Sequence, residues 1–129
     1  MMKDMERFEF KFIRNWCGYE IWELNDKCTG IVEGTIEVKK TTNFYSIFSM
    51  HVKTPGKGYG SFMYSKVEEE AKKKNCRWII GEWAEIYEGN INFIQKLMKE
   101  GFRQFTEEDK NRTGIQPKHS DYIIKELIF

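Results

Sequence analysis

Val52-Lys53-Thr54-Pro55-Gly56-Lys57-Gly58-Tyr59-Gly60-Ser61-Phe62-Met63-Tyr64 marks the point where the hydrophobic period of the chain changes. Before it, Asn43–Lys53 places Phe44, Ser46, Phe48, Met50 and Val52 at alternate positions, as a strand does. After it, Phe62, Met63, Val67 and Ala71 recur at three- and four-residue steps, which predicts an amphipathic helix from about Ser61 to Asn75. Gly56, Gly58 and Gly60 remove side chains at the junction, where a backbone must turn tightly or approach something closely. The first N–H groups of a helix lack internal partners, and the helix dipole favours negative charge there. The junction therefore predicts an anion site, with Lys57 adding positive charge and a phosphate-bearing cofactor as the anion.

Upstream of this junction the chain is strand-like. Arg7–Asn15 alternates Phe8, Phe10 and Phe12 with polar partners, and Gly18–Leu24 follows after a short break at Asn15–Gly18. A turn at Asn25–Lys27 leads to Thr29–Lys40, where Val32, Gly34, Ile36 and Val38 share one face. With Asn43–Lys53 these make a four-stranded meander. Downstream, Cys76–Ala84 is a short apolar strand suited to burial on both faces. Asn90 is placed to cap a second helix, Ile91–Glu100, which Gly101 stops. Phe102–Phe105 and Tyr122–Phe129 form two closing strands joined by the polar stretch Thr106–Asp121. The order predicts an α+β domain with a mixed, mostly antiparallel sheet and a central strand–helix–strand–helix unit.

The chain has 129 residues and shows no linker, repeat or composition shift, so residues 1–129 are expected to form one domain. Lys and Arg total 21 against 20 Asp and Glu, which argues against phosphate-gripping nucleic-acid binding. Cys17, Cys28 and Cys76 are widely spaced and form no CxxC or His–Cys cluster, so neither a metal site nor a disulfide framework is expected. Reduced thiols, a charged N-terminus unlike a signal peptide and the lack of a membrane-length apolar run predict a cytoplasmic protein.

Two familiar phosphate motifs fail on the residues. Lys57 is followed by Gly58 where a P-loop needs Ser or Thr, and Gly56-Lys57-Gly58-Tyr59-Gly60 is GxGxG rather than GxGxxG. The wider pattern, from the strand before the glycines to Gly101-Phe102, resembles the GNAT N-acetyltransferase superfamily over roughly Phe44–Phe105. That resemblance implies a GNAT-like fold with acetyl-CoA as cofactor, its pyrophosphate held by backbone amides of Gly56, Lys57, Gly58, Tyr59, Gly60 and Ser61. It also implies that main-chain groups of Met50 and Val52 bind the pantetheine arm and polarise the acetyl carbonyl. Asn90 matches a frequent cofactor contact of the family. The implied reaction is direct acetyl transfer to a primary amine, on a small molecule or on a protein lysine or N-terminus.

The chain departs from the family pattern at Pro55, which stands where Arg or Gln is usual, and at Leu97, which stands where a tyrosine acid is usual. Tyr87, Tyr64 or water are the alternatives for protonating the thiolate. For the base, Glu82 is the first choice because it follows the apolar run Trp78–Ile80; Glu85, His51 and His119 are the others. The short Asn15–Gly18 break leaves no room for the helices that usually wall the acceptor site. This reduced N-terminal region predicts an open groove suited to a macromolecular amine, flanked by Thr106–Asp121. A non-catalytic module that binds coenzyme A or a partner protein stands as the alternative, and the sequence is compatible with a homodimer.

Overall fold

The computed structural model describes residues 7–41, 43–54, 56–82, 95, 97–118 and 122–127. Among them seven strands form one sheet in the order β1-β2-β3-β4-β5-β7-β6. They are β1 (Phe8–Trp16), β2 (Tyr19–Asp26), β3 (Val32–Lys40), β4 (Phe44–Val52), β5 (Trp78–Gly81), β6 (Arg103–Gln104) and β7 (Ile123–Glu126). Helix α1 (Tyr59–Lys73) connects β4 to β5, and α2 (Glu107–Thr113) lies between β6 and β7. Among the described residues β4 and β5 pair in parallel and the other pairs are antiparallel. The mixed, mostly antiparallel sheet with a central crossover is the architecture expected from the sequence.

The β1–β2 connection is tighter than the expected Asn15–Gly18 break. Trp16 pairs with Tyr19, and Cys17 (φ 51) and Gly18 (φ 86) are both left-handed. Two left-handed residues give a turn whose twist matches that of the strands it joins.

Helix α1 begins two residues before the expected Ser61, because Gly58 takes a left-handed conformation (φ 80) and serves as N-cap. It ends at Lys73, where Asn75 is left-handed (φ 59) and the Cys76 N–H reaches the Ala71 carbonyl at 2.9 Å. The Asn75 N–H donates to Lys72 at 3.1 Å, completing a Schellman closure.

Met63, Tyr64, Val67 and Ala71 of α1 pack on Ile36, Val38, Tyr45, Ile47 and Ile79, forming the main core on one face of the sheet. Gly34 lets the helix sit close, since a Cβ there would lie 2.7 Å from Met63 Cε and 3.1 Å from the His51 carbonyl. On the opposite face Trp78, Ile80, Tyr122 and Ile124 form a second cluster with Phe44, Phe105 and Ile115. β5 is thus buried on both faces, as its continuous apolar run predicts.

The polar stretch Thr106–Asp121 contains helix α2, which the sequence reading did not separate from a loop. Asp109 accepts from the Thr106 N–H at 2.7 Å and also binds Arg103 and Arg112, closing the first turn as a capping box does. The closing strands are shorter than expected, at Arg103–Gln104 and Ile123–Glu126. Of the expected second helix, Gln95 and residues 97–99 are helical, Gly101 (φ 112) follows, and Asn90 lies outside the described residues. No helix among the described residues is long and apolar enough to cross a membrane.

Candidate functional site

The glycine junction has the geometry of an anion cradle. Gly56 (φ 82) and Gly58 (φ 80) are both left-handed, and a Cβ at either would meet nothing within 4 Å. The space over the turn is open, and only glycine adopts these angles without strain. The first intrahelical bond runs from the Phe62 N–H to the Gly58 carbonyl at 3.0 Å. The amides of Tyr59 and Gly60 therefore precede the first intrahelical donor, Phe62, and have no acceptor within the helix. No acidic residue lies in the first turn, and Lys57 is exposed beside it. Tyr59 is fixed by an edge contact with Phe8 at 5.1 Å. Amides without an intrahelical acceptor, an exposed lysine and room above the backbone suit a pyrophosphate. Pro55 lies outside the described residues.

Strand β4 leads into this junction and carries a bulge. Glu37 pairs with Ser49 and Val38 with Ile47, so Phe48 is the extra residue. Parallel pairing with β5 covers Phe44–Ile47 and ends with the Glu82 N–H on the Ile47 carbonyl at 2.9 Å. Among the described residues no strand pairs with Met50–Val52 on that side. The Lys53 N–H points to β3, where it binds the Glu33 carbonyl at 2.8 Å. Backbone direction alternates along a strand, so the N–H and C=O of Met50 and Val52 face away from β3, toward the side β5 has left.

Glu82 stands where the pairing ends. Its carboxylate accepts from Tyr122 Oη at 2.9 Å and forms a short hydrogen bond with Ser46 Oγ. Ser46 and Tyr122 are buried, while Glu82 is half-buried. Burial and the neighbouring Glu82 push the Tyr122 phenol up to about 12, so it remains a donor. A carboxylate has room for about four hydrogen bonds, and hydroxyls fill two. Among the described residues no cation pairs with Glu82. A second pair of the same kind flanks the bulge, where Ser49 Oγ donates to Glu37 Oε1 at 2.5 Å. The bulge turns Ser46 and Ser49 to the same side of the sheet.

This side is the face opposite α1. Tyr19 and Phe48 meet there with ring centroids 5.0 Å apart. A groove of about 320 Å³ adjoins it, lined by Phe105, Thr106, Lys110, Pro117 and Tyr122 among others. Tyr122 is shared by the groove and the Glu82 cluster.

The remaining candidates separate into three groups. Glu85, Tyr87, Asn90 and His119 lie outside the described residues. Tyr64 is buried, donates to Glu68 Oε1 at 2.6 Å and packs edge-on against Phe102, so its hydroxyl is committed inside the core. Burial raises its phenol far above the ordinary range. Leu97 is a core residue, and His51 is exposed on β4 with its backbone paired to Thr35. Sequence reading missed Ser46 and Tyr122 as partners of Glu82. Ser46 carried a weak signal, being a small polar residue at an inward-alternating position. Among the described residues no group of three or more His, Cys, Asp or Glu could hold a metal ion.

No protein-family model matches the sequence, and no curated protein matches it. Solved structures do match in shape. A Bacillus subtilis acetyltransferase in complex with CoA aligns over 94% of this chain and 99% of its own, with TM-score 0.66 and 16% identity. Tetrahymena GCN5 aligns over 88% and 71%, with TM-score 0.64 and 16% identity. The PaiA N-acetyltransferase of Thermoplasma acidophilum, in complex with coenzyme A, aligns over 83% and 60%, with TM-score 0.59 and 20% identity. At these identities the likeness is one of architecture: the chain has the fold of the GNAT acetyltransferases.

Proposed function

We propose that this protein is an acetyl-CoA-dependent N-acetyltransferase that moves an acetyl group directly to a primary amine. The observation that carries this reading is the pair of left-handed glycines opening α1, set beside a β4 edge whose Met50 and Val52 groups face away from β3. Amides from Gly56 to Ser61, with Lys57, would hold the pyrophosphate of coenzyme A. Main-chain groups of Met50 and Val52 would bind the pantetheine arm, and one N–H would polarise the acetyl carbonyl. Structures of this fold in complex with coenzyme A support that choice of ligand. Acetyl-CoA, when bound, supplies an acyl group activated as a thioester.

An amine acceptor is mostly protonated near neutral pH and must lose a proton before it attacks. Glu82 is the residue we assign to take that proton; its remaining acceptor capacity and the lack of a cation beside it among the described residues support this. Glu85 and Tyr87 are further candidates for acid–base roles, and Asn90 for a cofactor contact. The two-residue β1–β2 turn adds no helix over the face opposite α1. An open acceptor side favours an amine on a protein or peptide.

Thiol release from acetyl-CoA, measured across a panel of amines, peptides and proteins, tests the proposal. Turnover with at least one acceptor is expected; coenzyme A binding without any turnover would refute catalysis. One observation favours a second reading, a coenzyme A-binding module without activity. Leu97 is buried in the core at the position where the family carries its tyrosine acid.

A further inference from the structure

We infer that Ser46 and Tyr122 are positioning residues that hold the Glu82 carboxylate in one orientation at the end of the β4–β5 pairing; this rests on Glu82 being the proton acceptor. Three separate elements converge on this side chain. Ser46 comes from β4, Glu82 follows β5, and Tyr122 precedes β7.

Each donor is itself fixed. Ser46 is 4% exposed and Tyr122 3% exposed, so both hydroxyls must be bonded within the protein. The Tyr122 ring meets Phe105 edge-on at 6.1 Å and packs with Trp78, Ile80 and Ile124. The Glu82 main chain is fixed as well, by its N–H on the Ile47 carbonyl. Backbone and carboxylate are thus held from both ends.

The buried carboxylates elsewhere in the molecule show how this protein settles a purely structural acid. Asp26 binds Arg7 at 2.5 Å, and Asp109 binds Arg103 at 2.7 Å and Arg112 at 2.5 Å. Their charge is neutralised by guanidinium groups. Among the described residues Glu82 instead receives neutral hydroxyls and no cation, which orients it and leaves its charge for an incoming ammonium. A group used to take a proton from an amine needs both orientation and that uncompensated charge. The raised phenol of Tyr122 keeps its proton through the working range, so the oxygen of Glu82 that it binds remains an acceptor.

The test uses Ser46→Ala, Tyr122→Phe and Glu82→Gln singly, with Tyr122→Phe also placed in a Glu82→Ala background. Tyr122→Phe and Ser46→Ala are each expected to lower kcat about 10-fold, with KM for acetyl-CoA unchanged. Ser46→Thr, which keeps the hydroxyl, should recover most of that loss. In the Glu82→Ala background Tyr122→Phe should have no further effect on kcat, because the inferred route from this hydroxyl to turnover runs through Glu82. Unchanged kcat in both single variants, or a full additional loss in the Glu82→Ala background, would overturn the inference while leaving Glu82 as the base. Unchanged turnover in Glu82→Gln would instead overturn the reading of Glu82 itself, and the inference with it. A crystal structure of Tyr122→Phe decides independently of turnover. Rotation of the Glu82 carboxylate is expected, and an undisplaced carboxylate would refute the positioning role.

Discussion

Glu82→Gln keeps the size of the side chain and an acceptor for one of its two hydroxyl donors, while removing the proton acceptor. The expected outcome is a fall in kcat/KM of roughly 10²- to 10⁴-fold with coenzyme A binding retained, read from initial rates and cofactor titration. Tyr122 makes a second prediction, about pH. Its folded-state pKa is raised from 10.0 to about 12, so the folded protein holds this proton more tightly than the unfolded chain does. The resulting stability is fully present below pH 10.0 and is lost as pH rises through about 12. Buried Tyr45 and Tyr64 are shifted the same way, so Tyr122→Phe should reduce the alkaline loss without abolishing it. Urea midpoints measured across that window check this, and an unchanged slope would contradict it. Glu82 was legible in the sequence because it follows an apolar run that had to be a strand. Its partners were not, since Ser46 and Tyr122 lie 36 and 40 residues away and meet it only through sheet register.

At the scale of elements, the junction between β4 and α1 carries the binding claim. Gly58 is left-handed and surrounded by open space, so Gly58→Ala meets only the backbone penalty, about 1–2 kcal/mol. The same change at Gly114 (φ 76), also in open space at the end of α2, supplies a control. Both variants should lose similar stability, but only Gly58→Ala should shrink the rise in melting temperature that coenzyme A produces. Equal shifts in the two variants would separate the glycine turn from cofactor binding. The helix itself was legible from its three- and four-residue spacing. Its start was not, because a glycine N-cap has no side chain to announce it. Helix α2 was missed although Thr106 and Asp109 have capping-box spacing, because its seven polar residues offer no apolar stripe.

For the whole molecule, element order was enough to reach the fold. A four-stranded meander followed by a helix and a strand brings one parallel pair into an antiparallel sheet, and β4–β5 is that pair. The bulge at Phe48 was invisible in the sequence, because alternation from Phe44 to Val52 reads as unbroken while the register slips by one residue. That slip turns Ser49 to the same face as Ser46 and so builds the polar strip beside Glu82. The two-residue β1–β2 turn was nearly legible, and it underlies the proposal that the acceptor is a macromolecule. Direct transfer within such a complex asks nothing of Cys17, Cys28 or Cys76. The most direct test of the central claim is intact-mass analysis of the protein and a lysine-bearing peptide after incubation with acetyl-CoA. The account predicts one acetyl group gained on a peptide amine and none on the protein; an acetylated cysteine, or no acetyl transfer to any amine while coenzyme A still raises the melting temperature, would contradict it.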